Sequence, residues 1–332
     1  MGCRLRAASI AVSLAAGISV GCRAPPPLEH KDGGGSKAAS SLRPAGRLPP
    51  PASAFLFDSS LFAIKAPPRA GDWVQSHREP QQSFAEYVRN APARPTAERR
   101  AIVLQPLGTF TRRETALVYA MRDYLAAFFQ LETRVASPLP LPAFGMRKEE
   151  EDHDDPVQYR TDVINERLLA PRLPADAVCY LGITVADLYP DPSWNYVFGM
   201  ASLEKRVGVY SLARYGPAFN HQPDDPSAEA LLLRRALLVV AHETAHMFSL
   251  PHCRRYECLM NGVNSLAELD RGTPWLCPDC LRKLQWNTGM DLLAHYRALR
   301  TFYAERRLPD QVDWLDRRLS ALSLEPRRTP PP

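Results

Sequence analysis

Residues 231–253 read LLLRRALLVVAHETAHMFSLPHC, and the two halves of this stretch make opposite demands on the fold. The first half, Leu231 to Val240, is an apolar run interrupted only by Arg234 and Arg235. At helical spacing such a run belongs in the interior of a domain. The second half continues the same helix with His242, Glu243 and His246. Residues four apart on an α-helix differ by about 40° around the axis. Both imidazoles therefore leave one face, one turn apart, and can grip the same ion. Glu243 follows the first of them and reaches a water held by that ion. A buried, unpartnered imidazole or carboxylate costs on the order of a few kcal/mol. A cation with a general base beside it accounts for all three polar groups at once, which is the zinc-plus-base arrangement.

His252 stands six residues beyond His246, past Ser249 and Pro251. The chain must leave the helix and turn back, and a third imidazole then joins the pair. Met260 follows, either as an apolar floor beneath the three rings or as an ordinary core methionine. Cys253 and Cys258, then Cys277 and Cys280, form a C-x4-C and a C-x2-C pair. That spacing suits a tetrahedral zinc site; two disulfides are the alternative in an exported chain.

Outward from this centre, Ala101 to Leu107 reads as a buried strand. Arg113 to Leu131 carries Leu117, Met121, Tyr124, Leu125 and Phe128 at helical spacing. A second strand is expected at Glu132 to Ala136, a surface loop at Pro138 to Asp155, and a helix at Tyr159 to Leu169 stopped by Pro171. Val178 to Val185 reads as a strand, with Cys179 as a buried free thiol. Two further β-segments are expected at Tyr196 to Met200 and Val207 to Leu212. Helices are expected at Ser227 to Phe248, Asp279 to Trp286, Met290 to Tyr303 and Pro309 to Leu322. Alternation first and helices afterwards imply an α+β or α/β unit.

The 332 residues carry 41 Lys+Arg against 36 Asp+Glu, a net charge of +5, with 45% hydrophobic residues. This excludes wholesale disorder and a multi-span membrane protein. The basic residues near the cysteines are interleaved with Glu257, Glu268, Asp270 and Asp279, so no nucleic-acid partner is expected. Residues 1–22 have the pattern of a secretory signal ending in Ser19-Val20-Gly21-Cys22, which resembles a bacterial lipoprotein box with lipidation at Cys22. A plain cleaved signal and an uncleaved cytoplasmic N-terminus are the alternatives. On the first reading the protein is exported and meets the membrane through a lipid anchor alone. Residues 23–54, rich in Pro and Gly, read as a disordered tether and 326–332 as a tail, leaving 55–325 as the folded unit.

Taken together, His242 to Cys253, Cys258-Leu259-Met260 and Cys277-Pro278-Asp279-Cys280 resemble the archaemetzincins. That family of zinc metalloproteases in the metzincin clan has the pattern HExxHxxGxxHC, then Cys-x-Met, then C-x2-C; the last gap here is one residue shorter. Gly71-Asp72-Trp73, the stretch from Asp187 to Asn195, and Gly208-Val209-Tyr210-Ser211 also look like family segments. The resemblance implies an α+β, zincin-like fold: a twisted mixed sheet packed on an active-site helix, with a small helical, zinc-stapled C-terminal subdomain. It implies a metallopeptidase with two zinc ions. His242, His246 and His252 would hold the catalytic zinc and its water, Glu243 would be the general base, and Met260 would form the Met-turn. Cys253, Cys258, Cys277 and Cys280 would hold a structural zinc.

The partner expected is a peptide or protein substrate, pairing with a strand within Tyr196 to Leu212, and the chain is expected to be a monomer. A non-catalytic, zinc-stabilised peptide-binding protein of the same fold is the alternative, against which the intact Glu243 argues. Tyrosines such as Tyr210 and Tyr256 are candidates for stabilising the oxyanion. Ser249 departs from the family's Gly at a place where a left-handed backbone is expected; such a conformation costs a serine roughly 1–2 kcal/mol.

Overall fold

The computed structural model describes residues 57–142, 146–147, 157–216, 219 and 226–323. The expected signal segment with Cys22, the tether and the tail lie outside the described residues. Two short helices open the described chain, α1 (Trp73–Ser76) and α2 (Phe84–Arg89), followed by strand β1 (Ala101–Leu107) and helix α3 (Arg112–Phe129). Strands β2 (Thr133–Val135), β3 (Met146–Arg147) and β4 (Gln158–Arg160) lead into α4 (Thr161–Val163), which continues as a π-helical turn over Ile164–Leu169. Then come β5 (Ala177–Thr184), β6 (Asp187–Tyr189), β7 (Gly199–Ala201) and β8 (Val207–Ser211). The described elements beyond these strands are helical, chiefly α5 (Pro226–Met247), α6 (Leu266–Arg271), α7 (Pro278–Thr288), α8 (Leu292–Glu305) and α9 (Pro309–Ser323).

The main sheet has the order β2-β1-β5-β8-β7; its first four strands are parallel, and β7 runs antiparallel to β8 at the edge. A second small sheet has the order β3-β4-β6. Every residue of β1 and β5 is buried, as parallel strands covered on both faces must be. Alternation assigns the faces. Ile102, Leu104, Leu181, Ile183 and Tyr210 join the core with α3 and α5. Val103, Tyr180, Val207 and Val209 face Ile164, Leu168 and Leu169 of the π-turn. Helix α3 begins with a capping box, Thr111 and Glu114 each bonding the other's backbone, and ends at Gln130 in the left-handed region.

Two expectations need correction. The segment expected as a helix from Tyr159 begins instead as β4, because Gln158 to Arg160 pairs in parallel with β6. Strand β6 itself is too short to stand out in the sequence. The strand expected at Tyr196 to Met200 forms at Gly199–Ala201, since the residues before it bring Trp194 beside His77 of the arm and Tyr196 beside the C-terminal region. There the hydroxyl of Tyr196 donates to the Asn264 carbonyl.

The arm before β1 is tied along its length to the C-terminal region. Ile64 bridges Tyr256, Glu268 accepts from the Trp73 N–H, Arg271 pairs with Asp72 at 2.6 Å, and the Tyr87 hydroxyl donates to the Phe248 carbonyl.

Candidate active site

Helix α5 supports the site because its charged residues are answered. Arg235 makes a two-pronged contact with Asp270 at 2.7 and 2.8 Å, and Arg234 donates to the Gly272 carbonyl. Both partners lie in or just after α6, so the loop carrying Leu269, Gly272 and Thr273 is held along the cleft. At its C-terminal end the helix closes with Ser249 N–H donating to His246 O at 2.7 Å. Ser249 has φ +63°, the left-handed turn expected of it. The hydroxyl donates to Leu203 O (2.9 Å) and accepts from Ala93 N–H (3.2 Å), so this serine fastens the turn to the β7–β8 connection and to the arm.

The turn delivers His252 to the other two imidazoles. Ring centroids lie 4.5 Å apart for His242 and His246, 5.3 Å for His242 and His252, and 4.8 Å for His246 and His252. Each Nδ1 has a partner: Leu259 O for His242 (2.8 Å), Leu250 O for His246 (2.7 Å), and the Glu79 carboxylate for His252 (3.0 and 3.1 Å). These bonds place a proton on Nδ1 and leave Nε2 as a lone pair. Yet His242 Nε2 and His246 Nε2 sit 2.9 Å apart. Two bare lone pairs at that distance repel unless a cation lies between them, so the three imidazoles fit a zinc ion. Burial also drives the imidazolium forms out, lowering His242 to about 3 and His246 well below the usual histidine range.

The four cysteines gather beside this group. Their sulfurs, like the three imidazole donors, lie within 4.8 Å of one another. Cys253 Sγ and Cys277 Sγ are 3.8 Å apart, and all the described cysteines are free thiols; the disulfide alternative is not what the chain adopts. Cys258 Sγ accepts from the Cys277 and Met260 N–H groups, the contacts a metal-bound thiolate attracts. Asn261 braces the loop, donating to Cys253 O and Tyr256 O and accepting from Cys258 N–H. Fully buried Met260 passes its carbonyl to Cys253 N–H. Cys179 is buried in β5 as expected.

Glu243 lies against the edge strand. The Ala201 N–H bonds its carboxyl, while burial pushes that carboxyl up to about 8. A dication held by the neighbouring imidazoles acts the other way and favours the carboxylate. A Cβ on Gly199 would fall 3.0 Å from the Glu243 side chain, so the bare backbone there is what lets β7 approach. Phe198 O and Val207 O accept from β8 and β7 respectively (Ser211 N–H and Ser202 N–H). By antiparallel alternation, the backbone groups of Gly199 and Ala201 face away from β8.

Glu243, the three histidines and β7 surround a cavity of ≈ 410 Å³, which Trp73, His77, Glu79 and Trp194 also line. Trp73 and Trp194 lie in two of the stretches that resembled family segments, but with no role assigned to them; His77 and Glu79 carry no motif, and spacing could not have found them because long stretches of sequence separate them from the histidines. Tyr210 and Tyr256 do not line this cavity. Tyr210 is fully buried, its hydroxyl donating to Ala236 O, and Tyr256 packs in the core opposite Ile64.

The sequence profile of Peptidase family M54 matches residues 161–286. Archaemetzincin-2 of Pongo abelii is 34% identical over 275 residues, covering 74% of this chain and 76% of the relative. Archaemetzincin-2 of Homo sapiens is 33% identical with the same coverage. The crystal structure of archaemetzincin from Methanopyrus kandleri has a TM-score of 0.47 at 27% identity, covering 58% of this chain and 97% of that one.

Proposed function

This chain belongs to the archaemetzincins, peptidase family M54, and is a zinc metallopeptidase; we propose that His242, His246 and His252 hold its catalytic zinc, with Glu243 as general base. Cys253, Cys258, Cys277 and Cys280 hold a second, structural zinc. The observation that carries this reading is the set of three Nδ1–H groups already engaged, which leaves three Nε2 lone pairs converging beside a buried carboxyl.

Zinc held by these three imidazoles would lower the pKa of a coordinated water to about 7 and would polarise a carbonyl oxygen. Glu243 accepts the water's proton and returns it to the departing amine. The Ala201 N–H orients that carboxylate, and Gly199 leaves it room. The outward backbone groups of β7 other than the Ala201 N–H pair with an extended peptide, so the substrate is aligned by its main chain. Leu238, Val239 and Leu269 give the cavity an apolar wall for one of its side chains. Met260 lies in the turn after the third histidine and supports the site as its Met-turn.

Elemental analysis of the purified chain should find two zinc atoms. Glu243→Gln should keep both and lower peptide hydrolysis about 10²–10⁴-fold. Unchanged turnover in that variant would overturn the general-base assignment and leave the peptide-binding alternative.

A further inference from the structure

Two of the three histidines take their Nδ1 partner from backbone close by in the zinc-binding region: His246 from Leu250, His242 from Leu259. His252 does not. Its Nδ1 meets both carboxylate oxygens of Glu79, at 3.1 and 3.0 Å, a residue of the N-terminal arm 173 positions away. We infer that Glu79 is a positioning residue of the catalytic zinc site, and that the arm is thereby a working part of the site and not a detachable cover. This rests on the zinc assignment above.

The contact is built, not incidental. Arg254, two residues after His252, donates from its guanidinium to Glu79 O (2.9 Å) and from its backbone to the Gln81 side chain (2.8 Å). The Trp73 ring lies 4.3 Å from the His252 ring and stacks on His77 at 4.7 Å with an interplanar angle of 2°. Opposite it, Gly262 leaves the space the indole fills; a Cβ there would fall 2.2 Å from it. His252 is therefore fixed on one side by an aromatic face and at its Nδ1 edge by a carboxylate.

Chemistry gives the placement its sense. A carboxylate on the far nitrogen of a ligating imidazole fixes the tautomer, orients the ring and raises the basicity of the ligating nitrogen. A segment that silenced the enzyme by covering it would put its carboxylate on the ligating side. Glu79 sits on the opposite edge of the ring, so it strengthens the ligand without competing for the metal. His252 needs this more than the others do, since it stands on the extended chain after the helix and not on the helix itself.

The test compares full-length wild type with Glu79→Gln and Glu79→Ala, titrating each with zinc against a chromophoric chelator and recording cobalt(II) spectra. Glu79→Ala should weaken zinc at the histidine site about 10–100-fold and change its cobalt ligand-field bands. The thiolate-to-cobalt band should stay as in wild type. Glu79→Gln preserves the shape but not the charge, and should show a smaller loss confined to the histidine site.

If Glu79→Ala unfolds the arm and loses both metals, Glu79→Gln decides, because a packing role alone would leave its histidine-site affinity and cobalt spectrum unchanged. Unchanged zinc affinity in Glu79→Gln, with two zincs in wild type, overturns this inference alone. A wild type that binds only the thiolate-held zinc overturns the zinc assignment as well.

Discussion

Ser249 stands where a positive φ is required and glycine would be unstrained, and the chain keeps it there by using its hydroxyl. That group bridges Leu203 O and Ala93 N–H, so it joins the helix end to the β7–β8 connection and adds to the hold that Tyr87 on the Phe248 carbonyl gives the arm. Each such bond contributes about 1 kcal/mol net, which offsets a left-handed cost of similar size. Ser249→Ala keeps the strain and loses both bonds, so it should destabilise the chain by about 1–3 kcal/mol. Ser249→Gly loses the bonds but also the strain, and should cost about 1 kcal/mol less. Equilibrium denaturation of both variants beside wild type separates the two effects: Ser249→Ala as stable as wild type would mean the hydroxyl contributes nothing, and equal stabilities of the two variants would mean the left-handed turn costs serine nothing. The residue was legible in sequence as a departure, but its compensation was not, since neither partner is near it in the chain.

At the scale of elements, α5 and β7 define the working geometry between them. The helix was legible because an apolar run and a ligand spacing share one period, and its observed bounds, Pro226–Met247, fall within a residue of the expected ones. Strand β7 was expected to start three residues too early because its sequence, Gly199-Met200-Ala201, has neither β-branched residues nor alternation. Close approach to Glu243 selects these small residues. Gly199→Ala should push the carboxylate aside by a few tenths of an ångström and lower kcat about tenfold, with zinc content unchanged. Full activity in that variant would show that Glu243 has slack. The short helices α1, α2 and α6 were unreadable for a different reason: four to six residues are too few to display a period, and these form where the arm docks.

Across the whole molecule, the two ligand clusters share one turn. Cys258 belongs to the thiolate group, while the next residue, Leu259, presents its carbonyl to His242. Leu259 N–H in turn bonds Trp275 O, two residues before Cys277. A change at one cluster is therefore transmitted to the other through backbone only a residue long. With two zinc ions held as proposed, Cys280→Ala should lower zinc content from two atoms per chain toward none, because losing a thiolate-held ion would free the turn that orients His242. Elemental analysis after gel filtration checks this; retention of one zinc with undiminished peptide hydrolysis would show the clusters to be independent.

The histidine and cysteine spacings, the apolar helix and the buried strands were determined by the sequence itself, because each depends on local periodicity or on ligands close together in the chain. The arm's position, the Glu79 contact, the glycine-lined approach of β7 and the shared turn were decided by tertiary structure alone. Those contacts join residues far apart in sequence, and only packing against a common core brings their side chains within a few ångströms.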